Sequence, residues 1–132
     1  MEINKYKIRN VIEKYGIRPK KRLGQNFIFD RNILDKIVNE LCPITNNLVI
    51  EIGPGPGGLT ASLLEKKPKG IFLIEKDLAF KEILLNLTNQ YKEVKTYILI
   101  EDFLRVDFKK IKGFRNQNVK FISNLPYYIS TQ

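Results

Sequence analysis

A chain of 132 residues with 43% hydrophobic content can bury one core but hardly two, so a single folding unit is expected. With one cysteine, Cys42, and no histidine, it can form neither an internal disulfide nor the usual zinc ligand sets, and a histidine general base is excluded. The formal net charge of +9 is unevenly placed: Met1 to Arg22 carries eight basic side chains against two acidic ones, the make-up of a surface that meets nucleic-acid phosphates.

Ile8, Val11, Ile12 and Tyr15 recur at helical spacing, which predicts a short amphipathic helix from Lys5 to Tyr15, ended by Gly16. Pro19 then keeps the chain extended, and the run Arg18-Pro19-Lys20-Lys21-Arg22 leads into a candidate site segment, Gln25-Asn26-Phe27. Asp30 is placed to cap a second helix in which Ile33, Leu34, Ile37, Val38 and Leu41 form one apolar stripe, stopped by Pro43. Cys42, near that helix end, reads as a buried and inert thiol.

From Asn47 onward, short continuous apolar runs alternate with helical stretches. Leu48–Ile50, Ile71–Ile74, Tyr97–Ile100 and Val119–Ile122 read as strands; Leu59–Lys66 and Leu78–Gln90 read as helices. Phe108 to Asn118, rich in Lys, Gly and Asn, reads as a weak helix plus loop. Alternation of this kind predicts an α/β fold, a parallel sheet with helices on both faces. Four strands are fewer than a doubly wound sheet normally holds, so the fold is expected to be truncated after the fourth, where Tyr128-Ile129-Ser130 should lead into another helix and strand. No apolar run approaches the roughly 20 residues of a membrane span, and no cleavable leader is evident, so a soluble, cytoplasmic protein is expected.

Two segments carry chemistry. In Glu51-Ile52-Gly53-Pro54-Gly55-Pro56-Gly57-Gly58, a glycine-rich turn follows the first strand, where a bare backbone lets a ligand approach closely. Glu75 closes the second strand 22 residues after Gly53, the place where a carboxylate grips a ribose diol in many nucleoside-cofactor folds. Two prolines in the turn remove N–H donors that a dinucleotide pyrophosphate would use, whereas Glu51 adds negative charge suited to the cationic S-adenosylmethionine. Asp102, just past the third strand, is placed to accept from the cofactor's adenine amine. The second segment, Asn124-Leu125-Pro126-Tyr127, offers the Asn124 side chain and the main chain near Pro126 as acceptors, plus one aromatic face. Those groups suit the exocyclic amine of adenine, although Asn and Pro also favour plain turns.

In this order, Gln25-Asn26-Phe27, Glu51-Ile52-Gly53-Pro54-Gly55, Glu75, Glu101-Asp102 and Asn124-Leu125-Pro126-Tyr127 resemble the ribosomal RNA adenine N6-dimethyltransferases. The related large-subunit methyltransferases that confer macrolide resistance share the outline. The resemblance runs from Lys20 to Gln132, with Lys20-Lys21-Arg22-Leu23-Gly24-Gln25-Asn26-Phe27 as its most specific part. It implies a Rossmann-like S-adenosylmethionine-dependent methyltransferase domain over residues 1–132, with 1–29 as a basic N-terminal arm and without the family's further helical domain. It also implies cofactor contacts from Asn26, Ile28, Gly53, Glu75, Asp102 and Asn124, a catalytic role for Asn124 and Pro126, and stacking of the flipped adenine on Tyr127. One departure is Tyr128, where many relatives carry Asn.

By resemblance, the partner is small-subunit ribosomal RNA within a pre-ribosomal 30S-type particle, and the complete enzyme is a monomer. No catalytic base is required: acceptors at the amine favour a pyramidal nitrogen with its lone pair aimed at the methyl group, so positioning and electrostatics carry the rate. Rival readings are a DNA-adenine or protein-glutamine methyltransferase, and a non-catalytic RNA-binding or assembly protein of the same fold. A dehydrogenase is the weakest of them.

Overall fold

Leu48, Val49 and Ile50 are apolar at successive positions, so both sides of their strand must be covered, and that strand takes the middle of a four-stranded sheet. The computed structural model of the chain describes residues 8–16, 30–111 and 118–123. In chain order they form α1 (Ile8–Tyr15), α2 (Arg31–Leu41), β1 (Asn47–Ile52), α3 (Gly58–Glu65), β2 (Gly70–Glu75), α4 (Lys81–Thr88), β3 (Lys95–Ile100) and β4 (Asn118–Ser123). Short 3₁₀ turns cover Leu78–Phe80, Phe103–Arg105 and Phe108–Lys110.

The sheet order is β3-β2-β1-β4 and every pairing is parallel. Glu51 lies opposite Leu73 of β2 and Ile122 of β4, which sets the register across the centre. Because β4 pairs with the far side of β1, the strand order reverses between them. In open α/β sheets that switch point is where ligands enter, at the carboxyl ends of the strands.

The two faces of the sheet differ. Val49, Ile71 and Leu73 pack with Leu34, Val38, Leu63, Leu64, Phe80, Ile83, Leu84 and Leu87, so α2, α3 and α4 share one core. Right-handed crossovers from β1 to β2 to β3 put successive helices on the same side. Helical structure on the opposite face is limited, among the described residues, to the 3₁₀ turns of the β3–β4 connection. There Phe103, Val106, Phe108 and Ile111 cover Leu48, Ile50 and Ile74. Phe72 and Tyr97, opposite one another in β2 and β3, stack at 5.8 Å on that side.

Local chemistry explains most boundaries. Asp30 caps α2 by accepting from the Asn32 N–H at 2.9 Å, as the sequence predicts. Leu34 and Val38 of its stripe are buried, but Ile33 is 48% exposed, because the contact with α3 is narrower than a stripe of five apolar positions. At the other end of α2, the Lys120 ammonium of β4 donates to the carbonyls of Leu41 (2.8 Å) and Pro43 (3.0 Å), placing a cation at the helix's negative end. Leu78, where the sequence predicts a helix running to Gln90, starts a 3₁₀ turn instead. Asp77 caps that turn before the chain enters α4. β3 alternates exposed and half-buried residues rather than being buried throughout, as expected of an edge strand in the described sheet. α1 is held against the helical layer by Val11, Ile12 and Tyr15, whose hydroxyl accepts from the Asn86 amide at 2.7 Å.

Candidate functional site

The strands are parallel, so the acidic residues at or just past their carboxyl ends meet on one edge of the sheet. Glu51 and Glu75 lie in the last positions of β1 and β2, and Asp102 lies just beyond β3. Between the first two runs the glycine turn. Gly53, Gly55 and Gly57 have φ values of +72°, +54° and +93°, a left-handed backbone that side-chain-bearing residues adopt only under strain.

The turn is closed on itself. Gly53 N–H donates to the Ile74 carbonyl (2.9 Å), Gly55 N–H to Glu75 Oε1 (2.8 Å) and Gly57 N–H to the Pro54 carbonyl (3.0 Å). Pro54 and Pro56 have no N–H to give. From Gly53 to Gly57, then, each main-chain donor is either absent or already engaged. A phosphate, which needs such donors, finds none in this stretch.

Glu75 is only 5% exposed and holds two main-chain donors at once, Gly55 N–H on Oε1 and Asp77 N–H on Oε2, both at 2.8 Å. Burial pushes its pKa above the ordinary carboxylate value, while hydrogen bonds from the Asp77 and Gly55 N–H groups pull the other way. Each carboxylate oxygen keeps a second lone pair, so a diol can still be accepted. Asp102 accepts from the Leu104 N–H at 3.0 Å through Oδ1, capping a 3₁₀ turn.

Glu51 is entirely buried. The Thr60 hydroxyl of α3 donates to its Oε1, and its Oε2 has no hydrogen-bond partner among the described residues. Burial, helped by the nearby charge of Glu75 and opposed by the Thr60 hydrogen bond, pushes the Glu51 pKa up to about 8. An orphaned buried carboxyl oxygen is rare in a folded protein, and its cost is normally relieved by a partner.

Three of the residues expected from the sequence, Gly53, Glu75 and Asp102, thus lie on one edge of the sheet. Asn26, Ile28, Asn124, Pro126 and Tyr127 lie outside the described residues. Asn124 follows Ser123 directly in the chain, and Ser123 is paired with Ile52, the last residue before the glycine turn. Sequence reasoning missed Thr60. Its signal was a hydroxyl among the apolar residues Leu59, Ala61, Leu63 and Leu64 of a buried helix, a signal that Ser62, also buried, shares.

Against known proteins, the family model described as ribosomal RNA adenine dimethylase matches residues 16–132. The chain belongs to the ribosomal RNA adenine dimethylase family. It is 44% identical over 130 residues to the ribosomal RNA small subunit methyltransferase A of Clostridium acetobutylicum, covering 98% of this chain and 45% of that protein. The protein of the same description from Halothermothrix orenii is 40% identical over 124 residues, with 92% and 40% covered. The chain therefore spans less than half the length of these curated relatives.

Among solved structures, the 23S rRNA methyltransferase ErmE superposes with a TM-score of 0.66 at 23% identity, over 80% of this chain and 40% of that one, which shows the fold. No helix among the described residues is long and apolar enough to cross a membrane.

Proposed function

We propose that this chain is the cofactor-binding part of an S-adenosylmethionine-dependent enzyme that dimethylates adenine N6 in small-subunit ribosomal RNA. The observation that carries the reading is the Gly53–Gly57 turn, bare of free donors and flanked by the buried carboxyls of Glu51 and Glu75. Such a turn disfavours a pyrophosphate and suits a cationic nucleoside, so the residues present fit S-adenosylmethionine better than NAD. The orphaned Glu51 Oε2 is the second sign of fit.

S-adenosylmethionine supplies a methyl group on a sulfonium, an electrophile that needs no metal. Around it, Gly53 allows close approach, Glu75 accepts from the ribose hydroxyls and Asp102 accepts from the adenine amine. Asn26 and Ile28 line the cofactor from the N-terminal arm. Asn124 and the main chain at Pro126 accept from the target N6, turning its lone pair out of conjugation, and Tyr127 stacks on the extruded base. A base hidden in a duplex must be unpaired or flipped to reach these groups, and aromatic stacking contributes about 1–3 kcal/mol per base.

Residues 1–132 act as one cofactor domain, with 1–29 as a basic arm toward RNA phosphates. The partner is small-subunit ribosomal RNA in a pre-ribosomal 30S-type particle in the cytoplasm, and the complete enzyme works as a monomer. Relatives named for the small subunit at 40% identity and above support that choice of substrate over large-subunit RNA. Calorimetric titration with S-adenosylmethionine and with NAD tests the cofactor. Labelled methyl incorporation into undermodified small subunits, by the chain joined to the C-terminal half of its Clostridium acetobutylicum relative, tests the reaction. Tighter binding of NAD, or cofactor binding without any methyl incorporation, would refute the respective half of the proposal.

A further inference from the structure

We infer that Glu51 is the buried acceptor for the ammonium group of the donor, held in place by Thr60, and that it gives up a proton when that cation arrives. This rests on the cofactor reading above and assigns a role that reading leaves open. Glu51 is wholly buried in the penultimate position of β1, one residue before the turn that comes closest to a ligand. One of its oxygens is fixed by the Thr60 hydroxyl and the other has no partner among the described residues. A lone carboxylate in that position is costly, and two outcomes relieve it: protonation, or a cation with its own N–H donors. An ammonium group is such a cation.

Among the described residues, none is a counter-ion for Glu51. In register on either side are Leu73 and Ile122, both apolar. Glu75 of β2 is the charge that acts on it, and its sign is the same. Lys120, on β4, has its ammonium at the carbonyls of Leu41 and Pro43. On α2 and α3, Arg31 is paired with Asp35 and Glu65, and Ser62 donates to Asp35. With no cation beside it among the described residues, burial holds the carboxyl protonated at neutral pH in the free protein. An arriving ammonium favours the charged form, so the proton leaves to solvent as the ion pair forms. Thr60 acts through Glu51 and is a positioning residue.

Binding of S-adenosylhomocysteine, which keeps the ammonium but lacks the sulfonium, is followed by calorimetry in two buffers of different ionisation enthalpy. A parallel titration uses methylthioadenosine, which lacks the ammonium. The wild-type chain should release close to one proton with S-adenosylhomocysteine near neutrality and none with methylthioadenosine. Its affinity for the former should rise about tenfold per pH unit up to about pH 8. Glu51→Gln should abolish the release and flatten the pH profile, Thr60→Val should move the profile to higher pH, and Thr60→Ser should restore it. The ligand's own amine titrates identically in all variants and cancels in the comparison.

Should Glu51→Gln not fold, infrared difference spectra of the wild type serve instead. Ligand should bleach a protonated-carboxyl band, and an unchanged band would overturn the inference. Equal proton release in Glu51→Gln, release with methylthioadenosine, or a flat wild-type profile would also overturn it while leaving the cofactor reading standing. Absence of binding by either ligand at any pH would overturn both.

Discussion

Glu75 Oε1 accepts the Gly55 N–H at 2.8 Å, so the carboxylate at the end of β2 fixes the middle of the turn that leaves β1. The same carboxylate takes the Asp77 N–H on its other oxygen. One side chain therefore shapes the glycine turn and the start of the next connection, in addition to any contact with a ribose. Glu75→Ala would leave both N–H groups unpaired, and an orphaned buried donor costs about 1–3 kcal/mol. We expect a loss of that size or somewhat more in urea unfolding, together with loss of cofactor binding. Glu75→Gln, which keeps one acceptor, should fall between Ala and wild type. Wild-type stability in Glu75→Ala would show that the Gly55 contact carries no weight.

Glu51 makes the empty protein's stability depend on pH in an unusual direction. Its folded pKa is raised from 4.5 to about 8, so the native state holds a proton that the unfolded chain has lost across that window. Its contribution is fully present below about pH 4.5 and is lost as pH rises through about 8, a total on the order of a few kcal/mol. Asp35, whose pKa is lowered by Ser62 and Arg31 against the effect of burial, works in the opposite sense. The difference between wild type and Glu51→Gln isolates the effect. Relative to wild type, Glu51→Gln should gain stability as pH rises toward about 8, as read by urea midpoints at several pH values. A constant difference across that range would contradict the assignment.

How much of this was visible beforehand follows from which interactions are local. The Asp30 cap, the strand ending in Glu75 and the turn with its alternating glycines depend on neighbours in the chain, and each could be read from residue order. The Ile33 exposure could not, because periodicity gives the direction of a helix face but not its width. The placement of β4 beside β1 is a matter of topology, and alternating strands and helices are compatible with several strand orders. Lys120 reaches carbonyls 79 and 77 residues earlier in the chain, and Thr60 reaches Glu51 only once α3 packs on the sheet. In a sequence, both look like ordinary polar residues in apolar elements. The catalytic half of the expected site, from Asn124 to Tyr127, was legible as a motif by resemblance, and its geometry lies outside the described residues.

Backbone strain gives a test of the turn that does not involve charge. At Gly55 and Gly57, with φ of +54° and +93°, an added Cβ costs roughly 1–2 kcal/mol of conformational energy. Gly16 also has positive φ, +63°, but nothing lies within 4 Å of a Cβ built there. Gly16→Ala should therefore lose stability through strain alone and keep its affinity for S-adenosylhomocysteine. Gly55→Ala and Gly57→Ala should lose both. Equal ligand affinities in all three variants would mean that the turn is not where the ligand sits.

Lys120 ties β4, at the switch point, to the carboxyl end of α2. Its ammonium replaces solvent at the Leu41 and Pro43 carbonyls, at 2.8 and 3.0 Å, and a hydrogen bond to a charged group contributes about 1.5–3 kcal/mol. Lys120→Met keeps the aliphatic stem and removes the donor. It should lower the free energy of urea unfolding by an amount within that range and raise amide hydrogen exchange in the last turn of α2 before the rest of the helix. Because the contact lies at the helix end and away from the turn, affinity for S-adenosylhomocysteine should change by less than about twofold, a shift too small to register as a lost polar contact. Uniform exchange across α2 would show that the cap is not what holds its end.

The last prediction concerns chemistry rather than stability. Asn124 follows Ser123 in the chain, and Ser123 is paired with Ile52, the last residue before the glycine turn. If Asn124 accepts from the target amine, it acts chiefly on the reacting nitrogen and only secondarily on the cofactor. Asn124→Ala, in the chain joined to the C-terminal half of its Clostridium acetobutylicum relative, should reduce methyl incorporation by about 10²-fold or more, the scale set by removing one preorganised polar group from a transition state. Cofactor affinity should fall far less, and Asn124→Asp should recover part of the rate by supplying an acceptor. Turnover unchanged in Asn124→Ala would place the amine elsewhere, and a parallel collapse of cofactor binding would make Asn124 a cofactor ligand first.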